Sequence, residues 1–156
     1  MLGVVCISAY ADDYSVPVYG IMRDAEGNIV EVVPMTRAVY VNSVHTFPAG
    51  GTFTTYQYSP NSFFNAMIAF KDTNGNKIAT SNGTIAIQVF SASSVGGVRT
   101  AFTQQRSYST NQTSSTQDVI GIQIDQLDFS KPYYNAVYTN LSKKAVTIRL
   151  VIECDS

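Results

Sequence analysis

The sequence predicts an all-β protein, an antiparallel β-sandwich or jelly-roll-like fold, in a single domain over residues 1–156. Apolar and polar residues alternate in short runs such as TIAIQV, at 84–89, which is the pattern of a strand with one buried face. Turn residues such as Gly50–Gly51 and Gly96–Gly97 separate these runs. No segment shows the 3.6-residue periodicity of an amphipathic helix. Together these observations favour packed antiparallel sheets.

Strand signals rich in Val, Ile, Thr, Tyr or Phe recur along the whole chain. In chain order they are LGVVCIS, VPVYGIM, IVEVVP, RAVYVNSV, TFTTYQYS, AMIAFK, TIAIQVFS, VIGIQI, NAVYT and AVTIRLVIE. The first of them follows no basic residue, so we interpret it as a strand and not as a signal peptide. No apolar run approaches the roughly 18 residues of a membrane span, and no membrane partner is expected.

Two near copies of one phrase, RDAEGNIV and KDTNGNKI, resemble the start of a calcium-binding loop. Such a loop requires a bidentate Glu at its twelfth position. Counted from Asp24 and Asp72, that position holds Met35 and Gly83, neither of which has a carboxylate. We therefore interpret both phrases as hairpin turns, in which Asp accepts backbone N–H bonds and Gly adopts a positive φ.

The composition is poor in charge and nearly neutral overall. Charged residues make up 13% of the chain, against about a quarter in a typical domain. Ten basic residues balance eleven acidic ones, and no run of like charge occurs. Nucleic acid is therefore not an expected partner. Near-zero net charge gives little protection against association, which suits a subunit that assembles.

The two cysteines, Cys6 and Cys154, lie in the first and last apolar runs of the chain. A bond between them would close nearly the whole chain and could stabilise it by several kcal/mol, on the order expected for a long loop. No export signal indicates an oxidising compartment. We therefore expect two free buried thiols rather than a disulfide.

Residues able to carry catalysis are few. The single histidine, His45, follows VYVNSV and precedes TFPAGG, so we expect it at the end of a strand, in a satisfied structural role rather than as a general base. No nucleophile elbow, zinc-protease motif, P-loop or Cys-x-x-Cys pair occurs. We expect no enzyme, no cofactor and no metal site.

The segment 103–118, TQQRSYSTNQTSSTQD, breaks the strand rhythm. It contains no aliphatic residue and only Tyr108 as an aromatic one, and it is too long for an ordinary hairpin loop. We expect a mobile polar loop, or an arm that orders against a neighbouring copy or a ligand.

Tyrosines are the most plentiful candidates for contact with a partner, because they combine apolar area with a hydroxyl group. TYQYSPNSFF places Tyr56 and Tyr58 on one face of a predicted strand, and KPYYNAVY adds Tyr133. With Tyr108 of the polar segment, these residues are the predicted interface residues.

Two stretches carry a resemblance to a known class. GTIAIQVFSASSVGG ends a strand in a Ser/Gly loop, and KPYYNAVYTNLSKKAVTIRLVIE follows with an aromatic strand, a polar turn and a valine-rich strand. This pattern resembles virion proteins of tailed bacteriophages, of the capsid decoration, cement and fibre type. The resemblance implies a non-enzymatic structural subunit located in the virion, assembled in the host cytoplasm, oligomeric, and bound to major capsid or tail proteins.

Two other classes stay open. A carbohydrate-binding sandwich would need an exposed aromatic row with Asn or Asp beside it, which TYQYSPNSFF could provide. A pilus-like subunit of a surface appendage would need an exchanged strand and a secretory signal.

Overall fold

The computed structural model describes residues 18–35, 40–78, 83–110 and 119–155. These residues form eleven strands and no helix, and all strand pairs are antiparallel. The predicted all-β antiparallel sandwich is confirmed. The described residues include no helix that is long and apolar enough to cross a membrane.

The strands divide between two sheets. Sheet A consists of β1 (Val18–Arg23), β2 (Ile29–Met35), β4 (Thr52–Thr55), β6 (Thr84–Ala92), β7 (Thr100–Ala101), β8 (Arg106–Ser109) and β10 (Tyr133–Asn140). Sheet B consists of β3 (Tyr40–Phe47), β5 (Phe64–Ala69), β9 (Val119–Ile124) and β11 (Val146–Cys154). The order in sheet A is β2-β1-β4-β10-β6-β7, with β8 also paired to β6, and in sheet B it is β3-β11-β5-β9.

The core lies between the two sheets and follows the period of two. Alternate residues of β10 are buried together with alternate residues of β11, because successive side chains of a strand point to opposite faces. The largest fully buried side chains are Tyr134, Tyr138, Phe47, Phe53, Phe64, Met22, Ile68, Ile85, Ile87, Ile122, Ile148 and Leu150. Each such side chain contributes about 1.5–3 kcal/mol by leaving water.

The turn between β1 and β2 has the geometry predicted for RDAEGNIV. The Asp24 Oδ1 atom accepts the backbone N–H of Glu26 at 3.0 Å and of Asn28 at 2.8 Å. Gly27 has a φ of 88°, which favours glycine. Its N–H donates to the Asp24 carbonyl at 3.0 Å.

The turn in KDTNGNKI repeats this arrangement. The Asp72 Oδ1 atom accepts the N–H groups of Asn74 and Asn76, both at 2.9 Å, and Gly75 has a φ of 86°. Lys71 and Lys77 form a β-bridge across the turn. Both predicted turns are therefore confirmed, and each Asp is occupied by the backbone of its own turn.

These carboxylates make the turns sensitive to pH. The backbone N–H of Asn28 is the largest of the influences that hold the pKa of Asp24 below its ordinary value, and Asn76 does the same for Asp72. The stabilisation is present above the unfolded pKa of about 4 and is lost as pH falls through the lower folded pKa. We expect Asp24→Ala and Asp72→Ala to lower the thermal midpoint at pH 7, and the difference from the parent to shrink as the pH falls below about 4.

Glu26→Ala is the matched control for this prediction, because Glu26 lies in the first turn and only its backbone N–H bonds to Asp24. It should leave the midpoint nearly unchanged. Differential scanning calorimetry from pH 2 to pH 7 makes the comparison. A difference that is as large at low pH as at pH 7, or a midpoint that rises with calcium in the parent alone, would contradict the turn interpretation.

Part of the segment expected to be a polar loop is a strand. Arg106–Ser109 form β8, which pairs with β6 from Thr84 to Ile87, and Tyr108 packs against the core. The expectation of a loop is wrong for these residues, because a ladder to β6 supplies hydrogen bonds that the polar sequence does not reveal. Residues 111–118 lie outside the described residues.

Cys154 is buried at the end of β11 and is disulfide-bonded. The expectation of a free thiol is therefore wrong for this residue. The other cysteine of the chain, Cys6, and the predicted first strand LGVVCIS lie outside the described residues.

Candidate functional site

Tyr58 is not available for contact with a partner. It is 4% exposed, its ring centroid lies 6.0 Å from that of Phe64, and its backbone pairs with Tyr134 of β10. The prediction of Tyr58 as an interface residue is wrong, because β4 ends at Thr55 and the chain then brings Tyr58 into the core.

The three other predicted tyrosines are half-buried. Tyr133 lies opposite Ala92 and Tyr108 opposite Ile85, so they contact opposite ends of β6. Tyr56 follows β4 in the chain. Sheet A thus separates Tyr133 from Tyr108 along β6.

An apolar strand edge is exposed instead. On β2, Ile29 is 54% exposed, and Val30 and Val32 are each 49% exposed. The alternate residue Val33 is buried in the core, so Val32 points to the outer face of sheet A, and Val30 lies where the register to β1 shifts. Scattered single exposures are ordinary, but neighbouring β-branched residues on an edge strand form a candidate interaction site.

The backbone of β2 is also open on the side away from β1. Pro34 lies opposite Tyr19 and has no N–H, so this must be a non-hydrogen-bonded pair whose backbone groups point away from each other. Val32 lies opposite Ile21, two residues from Pro34. Because the two types of pair alternate along the ladder, this pair is also non-hydrogen-bonded. The N–H and C=O of Val32 therefore point away from β1, where sheet A has no further strand among the described residues.

A polar contact holds this edge against sheet B. The Nδ1 atom of His45 lies 3.1 Å from the Glu31 Oε2 atom, and its Nε2 atom lies 2.6 Å from the Ser43 Oγ atom. Glu31 belongs to β2 in sheet A, whereas His45 and Ser43 belong to β3 in sheet B. Both ring nitrogens are hydrogen-bonded, as expected, but His45 lies within β3 and not at its end.

The hydrogen-bonded series Ser43–His45–Glu31 has the residue types of a catalytic triad, in which a nucleophile contacts a base and a third group orients that base. However, Ser43 and His45 lie on the same face of β3 as Val41 and Phe47, which are both in the core. The His45 side chain is only 8% exposed. The arrangement therefore links the edges of the two sheets.

The sequence contained a signal for this edge. In IVEVVP, Glu31 and Val33 share one face of the strand and Val32 lies on the other. Composition alone would turn Val32 inward and Glu31 outward. The structure turns Val32 outward and Glu31 toward sheet B, where His45 is its hydrogen-bond partner.

Comparisons of the chain with protein-family models and with curated proteins give no match.

Proposed function

We propose that this protein is a non-enzymatic structural protein of a virion, either a capsid decoration or cement subunit or a tail-associated subunit. It binds other virion proteins, major capsid or tail proteins, and copies of itself. The observation that carries the proposal is the exposed apolar edge of β2, formed by Ile29, Val30 and Val32. An edge of this kind pairs readily with another chain unless something covers it.

The positions of the two stretches that resemble phage virion proteins support the proposal. The first stretch contains β6, and the second contains β10 and β11. β6 and β10 pair along eight residues of each strand, from Tyr133–Ala92 to Asn140–Ile85. β11 lies between β3 and β5 in sheet B. The two stretches therefore supply neighbouring strands inside sheet A and the strand between β3 and β5 in sheet B.

The low charge of the chain also favours a role in contacts. Only 13% of residues are charged, so a protein partner removes few ions from water, and that removal is the costly part of burying a polar surface. A stable interface of this type buries about 1,200 Å² or more in total. The β2 edge is one part of such a surface.

A carbohydrate-binding role has less support. It required an exposed aromatic row in TYQYSPNSFF, but Tyr58 and Phe64 of this segment are buried and pack together. Tyr56 and Phe63 are half-buried. The segment therefore does not present successive rings to a sugar.

Mass photometry of the purified full chain, with electron microscopy of particles from cells that produce it, tests the proposal. We expect oligomers, and antibody label on the surface of virion particles. A chain that stays monomeric, is absent from particles and turns over a substrate in a manner abolished by His45→Ala would overturn it.

A further inference from the structure

One edge of sheet A carries mainly negative charge. We define the acidic edge as β2 together with the β1–β2 turn, and its charged side chains are Asp24, Glu26, Glu31 and Arg23. The Arg23 side chain is hydrogen-bonded within the turn, where its Nη1 atom donates to the Gly27 carbonyl at 3.0 Å. The acidic edge thus carries three carboxylates against one guanidinium, and two of these carboxylates also bond within the protein, Asp24 to its own turn and Glu31 to His45.

The opposite edge of sheet A carries mainly positive charge. We define the basic edge as β7 and β8 with their flanking residues, which include Arg99 and Arg106, together with Asp128 and Lys131 of the connection between β9 and β10. Lys131 Nζ donates to the Thr100 Oγ1 atom of β7 at 3.2 Å. Val98, next to Arg99, is 85% exposed. This edge therefore offers both an apolar side chain and basic groups.

Strand direction makes the two edges compatible. Every neighbouring pair along β2-β1-β4-β10-β6-β7 is antiparallel, so direction alternates from each strand to the next and β2 and β7 run in opposite directions. A second copy placed beside the first in the same orientation would bring its β7 antiparallel to β2. The sheet could then continue from one copy into the next with the pairing it already uses.

We propose that copies of this protein join head to tail, with the acidic edge of one copy against the basic edge of the next, so that sheet A runs continuously through both. This inference rests on the proposed function, since it names a second copy as one partner of the β2 edge. Two different surfaces meet in such a contact, so the assembly closes into a ring or grows as a filament.

Three kinds of contact would hold the interface. The open N–H and C=O groups of Val32 pair with the backbone of the basic edge, Val30 and Val32 gain an apolar neighbour in Val98, and carboxylates of the acidic edge face Arg99. Pro34 lacks an N–H and limits the ladder at its end of β2. A pairing of β2 with a second β2 has no such charge complementarity, because both edges would carry excess carboxylates.

Sedimentation velocity of the full chain over a concentration series at low salt tests the inference. We expect concentration-dependent oligomers that weaken as salt rises. Val32→Arg places a cation opposite the basic edge, and Arg99→Glu places an anion opposite the acidic edge. Each should weaken self-association at least tenfold. Val44→Arg, at a similarly exposed valine on β3 of sheet B, is the matched control and should associate like the parent.

Mixing the two variants identifies the type of interface. Val32→Arg keeps an intact basic edge, and Arg99→Glu keeps an intact acidic edge, so an equimolar mixture should form dimers that neither variant forms alone. Normal association by Arg99→Glu would overturn the inference and indicate pairing between two β2 strands. Circular dichroism and thermal midpoints confirm that each variant is folded.

Failure of this inference is distinguishable from failure of the proposed function. A parent chain that stays monomeric at high concentration overturns head-to-tail pairing. If that monomer still labels virion particles, the proposed function stands and the partner of β2 is another protein.

Discussion

Replacing Tyr138 by alanine is expected to destabilise the fold by about 3–5 kcal/mol, the usual cost of removing a fully buried aromatic side chain. Tyr138 has no exposed surface, and its ring centroid lies 6.2 Å from that of Phe53. Its hydroxyl donates to the Met67 carbonyl of β5 at 3.1 Å. Because Tyr138 belongs to sheet A and Met67 to sheet B, the side chain links the two sheets.

Two further variants separate the contributions of Tyr138. Tyr138→Phe keeps the ring and removes only the hydroxyl, so it should cost about 0.5–1.5 kcal/mol through the lost hydrogen bond to the Met67 carbonyl. Tyr133→Ala, at a half-buried residue of the same strand, is the control and should cost much less than Tyr138→Ala. Urea unfolding gives all three values. Equal losses for Tyr133→Ala and Tyr138→Ala would show that the core does not lie where the structure places it.

Loss of the Cys154 disulfide is expected to destabilise the protein by about 2–5 kcal/mol. Cys154 is buried at the end of β11, and its bond constrains the unfolded chain more strongly as the enclosed loop lengthens. The chain contains one other cysteine, Cys6. An intramolecular bond would therefore enclose nearly the whole chain, and we expect peptide mapping without reduction to recover a Cys6–Cys154 pair.

Comparison of oxidised and reduced protein by urea unfolding measures the effect of the disulfide. Cys154→Ser should be as unstable as the reduced parent and should not respond to reductant. Two titratable thiols in the unreduced, unfolded parent, or equal stability with and without reductant, would contradict this prediction.

The central strands could be predicted from sequence because their alternation matches their burial. The second positions of β6 and β10 are buried, and all of them are Ile, Val, Ala or Tyr except the last of each strand, Ser91 and Asn140. The two turns were predictable because their hydrogen bonds join residues close in sequence. A sequence pattern can record both a period of two and a local turn.

The features that could not be predicted depend on partners distant in sequence. β8 is polar and becomes a strand only by pairing with β6. Tyr58 resembles a strand-face tyrosine, but a bridge to Tyr134 places it in the core. Glu31 turns toward sheet B because its carboxylate is hydrogen-bonded there to the ring of His45, fourteen residues away. No periodicity in one strand can report the residue that another strand brings to it.

The position of β11 has a consequence for synthesis of the chain. β11 lies between β3 and β5 and supplies ladders to both, and a side-chain contact such as Thr46 to Thr147 spans 101 residues. Closing such long loops makes folding slow, on the order of milliseconds to seconds for sandwiches. Sheet B therefore cannot be completed until residues 146–154 have left the ribosome. Until then β3 and β5 have no strand between them, and the edges that β11 later pairs stay open.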